Sequence, residues 1–256
     1  MRHRIERFTV AVVVSAWLVA VVHATGATTA DALRRAMAYQ YQIRGGQTDI
    51  VPEYVAMLEE ATKNEPENAE LWYAMGIAYL AKGAILKGPA ALDRALQLNP
   101  DHPEALAVRG GIRTMMGSFM QAPELTARGV AEMNRAIAIA PASRRARLAR
   151  AFLGSNLPDA MRNRTAEAED LDFLITVAKG TRAGDYIRIM RGDLAAETGS
   201  SDLAREQYEM VVKSASPAST EAASRLAALA DGGVPAADVK KLRQQAGANC
   251  VMCHGK

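Results

Sequence analysis

Cysteine is nearly absent, with two among 256 residues, which excludes a small domain held together by disulfides. Aromatic residues make up only 5%. No alternating runs rich in β-branched or aromatic residues recur between turn signals, which excludes an all-β architecture. There is one long hydrophobic run, over residues 8–22, so a multi-span membrane protein is excluded as well. Nor does one charge dominate: 31 Lys and Arg stand against 28 Asp and Glu. Arg2, Arg4 and Arg7 fall in the first 24 positions, opposed only by Glu6. The rest of the chain is almost neutral, which argues against nucleic acid as a main partner. What is plentiful is alanine and leucine, within a hydrophobic share of 49%. That share is large enough to build a core and excludes a disordered chain. Alanine and leucine favour helices, so the expected class is all-α, as one elongated domain or two small ones.

The N-terminus has the layout of an export segment. Residues 1–7, MRHRIER, are basic, residues 8–22 are apolar, and Val22-His23-Ala24 supplies small or neutral residues where a signal peptidase reads. Residues 1–24 are therefore expected to be a signal peptide. If they are retained, residues 8–24 form an N-terminal anchor at the short end of the spanning range. Either outcome places the body outside the cytoplasm, in the periplasm of a bacterium, with membrane contact only through an uncleaved segment.

The body repeats. Trp72, Gly76 and Tyr79 open a unit that Leu92, Ala95 and Pro100 close. Gly76 and Ala95 let helices approach closely, and Pro100 ends a helix because it has no N–H to donate. One period back from Ala95 and Pro100 stand Ala61 and Pro66, and one period on from Gly76 stands Gly110. The closing pair returns at Ala136 and Pro141, 41 positions after Ala95 and Pro100. Steps of the same length lead from Gly110 to Ala151 and Gly192, followed by Ala204 and Tyr208. Five units are expected, anchored near Gln42, Gly76, Gly110, Ala151 and Gly192. The third and fourth carry seven extra residues, close to one added turn in each of two helices. Gly117-Ser118 and Asn156-Leu157-Pro158 are the expected bends.

This pattern resembles the tetratricopeptide repeat (TPR), a helix–turn–helix unit of about 34 residues. The resemblance covers residues 31–217 and implies an α-solenoid of helix hairpins, with residues 218–247 as capping helices. It also implies a concave groove lined by the first helix of each hairpin, of the kind that binds proteins or peptides. In this register Tyr73, Ile77, Leu80, Ala107, Leu148, Phe152 and Ile189 face the groove. Tyr73 and Phe152 are the candidate anchors, and a shifted register would make some of the set core residues.

The chemistry lies in the tail, residues 248–256. Both cysteines fall in Cys250-Val-Met-Cys253-His254, which resembles the c-type haem attachment site. The resemblance implies that Cys250 and Cys253 form thioethers with the two vinyl groups of one haem c, and that His254 is an axial iron ligand. An exported disulfide or redox pair does not need the histidine, and a zinc site would need further ligands at metal spacing. His102, between two units, reads as a solvent-facing turn residue. The helix around Asp238–Ala246 resembles the lead-in helix of a cytochrome c, but only Gly255 and Lys256 follow the motif in this sequence. The sixth ligand is then open, or comes from another chain, or comes from the body, where Met115, Met116, Met120 and Met133 are candidates.

The function expected from these features is that of an exported monohaem c-type cytochrome subunit. The solenoid would dock it to a protein partner in an electron-transfer complex or to another cytochrome. The alternatives are a TPR-type maturation factor that holds apocytochromes and an envelope scaffold. No distal His/Arg pair can be placed, so no catalytic residue is assigned and the chain reads as a carrier rather than an enzyme.

Overall fold

Alanine, glycine and leucine at helical spacing fold the chain into successive antiparallel helix pairs. A computed structural model describes residues 29–40, 42 and 47–231, and among these it contains helices and turns and no strand. The elements are α1 (residues 29–40), α2 (Val51–Asn64), α3 (Ala69–Ala81), α4 (Lys87–Leu98), α5 (Pro103–Phe119), α6 (Pro123–Ile139) and α7 (Arg144–Gly154). A 3-10 turn at Asp159–Met161 precedes α8 (Arg164–Val177), α9 (Arg182–Glu197), α10 (Ser201–Lys213) and α11 (Ser219–Ala230). The chain divides into two units, Met1–Pro100 and Asp101–Lys256.

In the first unit, Ala32 and Ala36 of α1 pack with Tyr54, Val55 and Leu58 of α2 and with Leu71, Ala74, Met75 and Ala78 of α3. Gly76 is where α3 and α4 meet: a methyl group there would stand 2.8 Å from Leu92 Cγ. Gln42, the expected anchor of the first hairpin, is exposed. α2 carries Tyr54 one period before Gly88, so a ring occupies the place of a hydrogen atom. α1 meets it through Gln40, whose amide donates to the Tyr54 hydroxyl at 3.1 Å, and through Tyr39, whose ring stacks on Tyr54 with centroids 5.3 Å apart.

In the second unit the extra residues of the third hairpin are helical. α5 and α6 have 17 residues each, against 13 and 12 in α3 and α4. The apolar face keeps its phase because about one turn is added to each arm. Gly110, Thr114 and Gly117 of α5 face Thr126, Gly129 and Met133 of α6, all buried. The backbones nearly touch: a methyl group on Gly110 would stand 2.7 Å from the Gly129 carbonyl oxygen. The bend falls at Met120–Ala122, with Gln121 at φ 54°, and Gly117-Ser118 lie inside α5.

The fourth hairpin corrects the expectation. α7 has only 11 residues, and the added length forms a connection from Ser155 to Asn163. Pro158 cannot sit in a helix interior. The Ser155 hydroxyl and Asn156 amide donate to the Phe152 carbonyl at 2.9 and 2.8 Å, so the chain leaves the helix there. Further on, a methyl group on Gly192 of α9 would stand 2.5 Å from Tyr208 Cε1 of α10. Ile189, Ala195, Ala204, Tyr208, Val211, Ala218 and Ala222 form the last core cluster, which joins α9, α10 and α11.

Side-chain caps mark the starts of α3, α5, α7 and α9, each of which follows the second helix of a hairpin. Asn68 accepts from the Glu70 and Leu71 amides, Ser143 from Ala146, and Thr181 from Gly184, each cap being worth about 1 kcal/mol. His102 belongs to this set. It is buried at the start of α5, and its Nδ1 accepts from the Ala105 amide at 3.4 Å. It is a cap and not a solvent-facing turn residue.

Candidate functional site

The residues expected to line a groove divide between the two units. On α3, Tyr73 and Ile77 are half-buried one turn apart, whereas Leu80 packs on Gly88 of α4, where an added methyl group would stand 2.7 Å from its Cγ, and so belongs to the α3–α4 seam and not to a groove. Near them the Tyr79 hydroxyl donates to Glu59 Oε1 at 2.9 Å, and the Lys87 ammonium lies 5.4 Å from the Tyr79 ring centre. Burial, with the Glu59 carboxylate second, pushes the Tyr79 hydroxyl above its ordinary value. On α7, Leu148 and Phe152 are also half-buried, but they pack against the cluster of Ala151, Leu171 and Leu174. Ala107 and Ile189 are fully buried and so belong to the core, not to a groove.

Cys250, Cys253, His254, the N-terminal segment 1–24 and residues 232–247 lie outside the described residues. Of the four methionines considered as iron ligands, Met133 is buried in the α5–α6 seam. Met115, Met116 and Met120 are exposed on the last turns of α5 and just beyond, together with Phe119. No group of three or more His, Cys, Asp or Glu suited to a metal occurs among the described residues. None of their helices is long and apolar enough to cross a membrane.

Three ionic clusters that sequence reasoning missed tie the second unit together. Asp170 of α8 is fully buried and accepts from Arg147 Nη1 at 2.8 Å and from Arg150 Nε at 2.7 Å. Burial pushes its carboxyl up, and the two guanidiniums pull against that. Arg162, in the connection before α8, is buried between Glu167 of α8 at 2.8 Å and Glu197 of α9 at 2.5 Å. Asp193 of α9 accepts from the Tyr208 hydroxyl of α10 and from Arg225 Nε of α11, both at 2.8 Å. Burial, then the Asp193 carboxylate, pushes the Tyr208 hydroxyl far up. One signal was available. Trp72 and Arg147 each stand fourth in their helix, and each donates at 2.7 Å to the carbonyl of a unit-closing proline, Pro66 and Pro141. The arginine therefore fills a tryptophan position, and its guanidinium lies 4.6 Å from the Phe173 ring centre.

This arrangement of hairpins is the tetratricopeptide-repeat fold. A thermophilic TPR protein of Thermus thermophilus superposes with a TM-score of 0.54 at 16% identity, over 79% of this chain and 98% of that one. The pilF protein of Pseudomonas aeruginosa superposes with a TM-score of 0.57 at 12% identity, over 88% and 91% of the two chains. No family model matches the sequence, and no curated protein matches it.

Proposed function

We propose that the chain is an exported monohaem c-type cytochrome subunit whose TPR body docks it to a protein partner in an electron-transfer complex. The observation that carries this reading is Cys250-Val-Met-Cys253-His254, which holds both cysteines of the chain. Two thiols at this separation match two vinyl groups, and the adjacent imidazole matches an axial position on iron. The donor set of the described body is compatible with this group, since it offers thioethers at the surface. Haem, when bound, supplies reversible one-electron chemistry. The protein's part is then to hold the group and present it to a partner. Helix-hairpin repeats supply the kind of extended surface on which partners dock, and an export segment agrees with attachment outside the cytoplasm.

The test is intact mass with a reduced pyridine haemochrome spectrum, after expression beside c-type maturation machinery. The expected result is a gain of one haem. Cys253→Ala should lower covalent haem while circular dichroism of the helices stays unchanged. A haem-free wild type under those conditions would overturn the reading in favour of a factor that holds apocytochromes, which should then co-purify. For the partner surface, Tyr73→Ala and Ile77→Ala should weaken capture of the partner without changing haem content. Phe152→Ala is the poorer probe, because its ring also packs on the core cluster.

A further inference from the structure

α5 carries a stripe whose cover ends before the stripe does. Ala107 is fully buried, and a methyl group on Gly111, one turn on, would stand 3.1 Å from Leu153 Cδ1 of α7. Leu153 is the next-to-last residue of α7. α5 and α7 are alternate members of an antiparallel run, so α5 continues past the end of its neighbour. The next residues on the stripe, Met115 and Phe119, are 58% and 89% exposed, and beside them Met116 and Met120 are 43% and 62% exposed. Four large apolar side chains within six positions form a surface that water solvates poorly, of the kind that marks a contact site.

We propose that this tip of α5 is the docking face of the chain's own Cys250–His254 segment, with one of the thioethers of Met115, Met116 and Met120 as the sixth haem ligand. The inference rests on the haem reading under Proposed function. The chemistry of the patch favours this occupant over a second copy of the chain. Covering by another apolar surface has no need of sulfur, whereas a thioether is a soft ligand for haem iron and an adaptable contact for a flat apolar ring system. The tether favours it too. Cys250 lies 19 positions beyond Asp231, the last described residue. That length spans at most about 60–70 Å, against a radius of gyration of about 15 Å for a compact unit of this size. Tethering of this kind gives an effective concentration on the order of millimolar, which an untethered second copy does not have.

The experiment uses the full-length protein matured with haem, its single variants Met115→Ala, Met116→Ala and Met120→Ala, and the triple variant. Haem content, helicity and oligomeric state are measured beside the far-red absorption that a thioether gives to ferric haem. The wild type should show the band. One single variant and the triple should lose it and bind added imidazole readily, with haem content and helicity unchanged, since these side chains are exposed. Phe119→Ser should keep the band but take up imidazole faster. A haem-loaded wild type without the band, or a triple variant that keeps it, overturns the proposal. So does a triple variant that turns a dimer into a monomer with an unchanged haem spectrum, which would assign the face to a second copy. A wild type that carries no haem removes the proposal together with the reading beneath it, and haem content tells that failure apart from the others.

Discussion

At Gly110 and Gly111, neighbours on α5, adding one methyl group has opposite expected effects. On Gly110 it would meet the Gly129 carbonyl oxygen and the Met133 side chain of α6, and backbone cannot move aside as a rotamer can. On Gly111 it would meet only the end of Leu153. Gly110→Ala should therefore cost about 1–3 kcal/mol, while Gly111→Ala should be neutral or gain up to about 1 kcal/mol from helix propensity. Urea unfolding of the two variants checks this, and equal losses would contradict the close approach of α5 and α6. Tyr208 sets a pH dependence. Its hydroxyl is held protonated by burial and by Asp193, so the folded state keeps the proton more tightly than the unfolded chain. That contribution is fully present below the ordinary tyrosine value of about 10 and is lost as pH rises beyond it. Tyr208→Phe should be less stable at neutral pH by about 1–3 kcal/mol, because Asp193 loses a buried donor. It should also fall less steeply in alkali, as thermal unfolding across pH 8–11 would show.

Elements were legible in the sequence wherever a small residue and its filler recur at one spacing. Gly76 with Leu92, and Gly192 with Tyr208, are separated alike, and in both pairs the filler occupies the space that a Cβ on the glycine would need. The seven-residue insertion was legible as a length but not as a place. In the third hairpin the one proline between Gly110 and Gly129, Pro123, stands at the first position of α6, where a helix tolerates it, so the extra residues extend both arms. In the fourth, Pro158 does, and they form a connection. The first hairpin has no small anchor at Gln42, which is exposed, because Tyr54 supplies bulk where the period expects a small residue and α1 meets it through Tyr39 and Gln40 instead. The buried ion pairs left almost no trace, since an arginine on a helix gives no sign of which acid it meets across the interface. Arg162 is the test at this scale. Arg162→Ala leaves Glu167 buried without its guanidinium and should cost about 3–5 kcal/mol, with earlier proteolysis between Ser155 and Asn163. Adding Glu167→Gln should recover part of the loss, and no recovery in the double variant would show that the arginine acts by packing alone.

For the whole molecule, fold and chemistry are written in separate parts of the sequence. The body is a TPR fold of helix hairpins, legible from Trp72, Gly76, Ala95 and Pro100 because each of these residues has a steric task that few others can perform. Which part of that body meets a partner was less legible. Half-buried Leu148 and Phe152 and fully buried Ala107 and Ile189 share a nominal face with Tyr73 and Ile77, and helical period alone does not report which neighbour covers a face. The haem reading rests on residues 250–254, and the Cys253→Ala measurement decides it separately from the fold.

The long α5–α6 pair also limits how this chain can change. Its two arms meet at Gly110, Gly117 and Gly129, where an added methyl group would stand 2.4–2.7 Å from the facing arm, so a rotation that brings any larger residue into the seam would force the arms apart. The pair can therefore lengthen or shorten only in whole turns, as a telescoping rod with fixed stops. One stop moves the tip by about 5 Å and carries Phe119 and Met120 with it, while the seam below stays closed. A deletion of two or three residues from one arm would instead turn Gly117 and Thr126 away from each other. Insertions and deletions in this hairpin are thus expected to survive in steps near seven residues, and the reach of its tip is a quantity that selection can set in discrete steps.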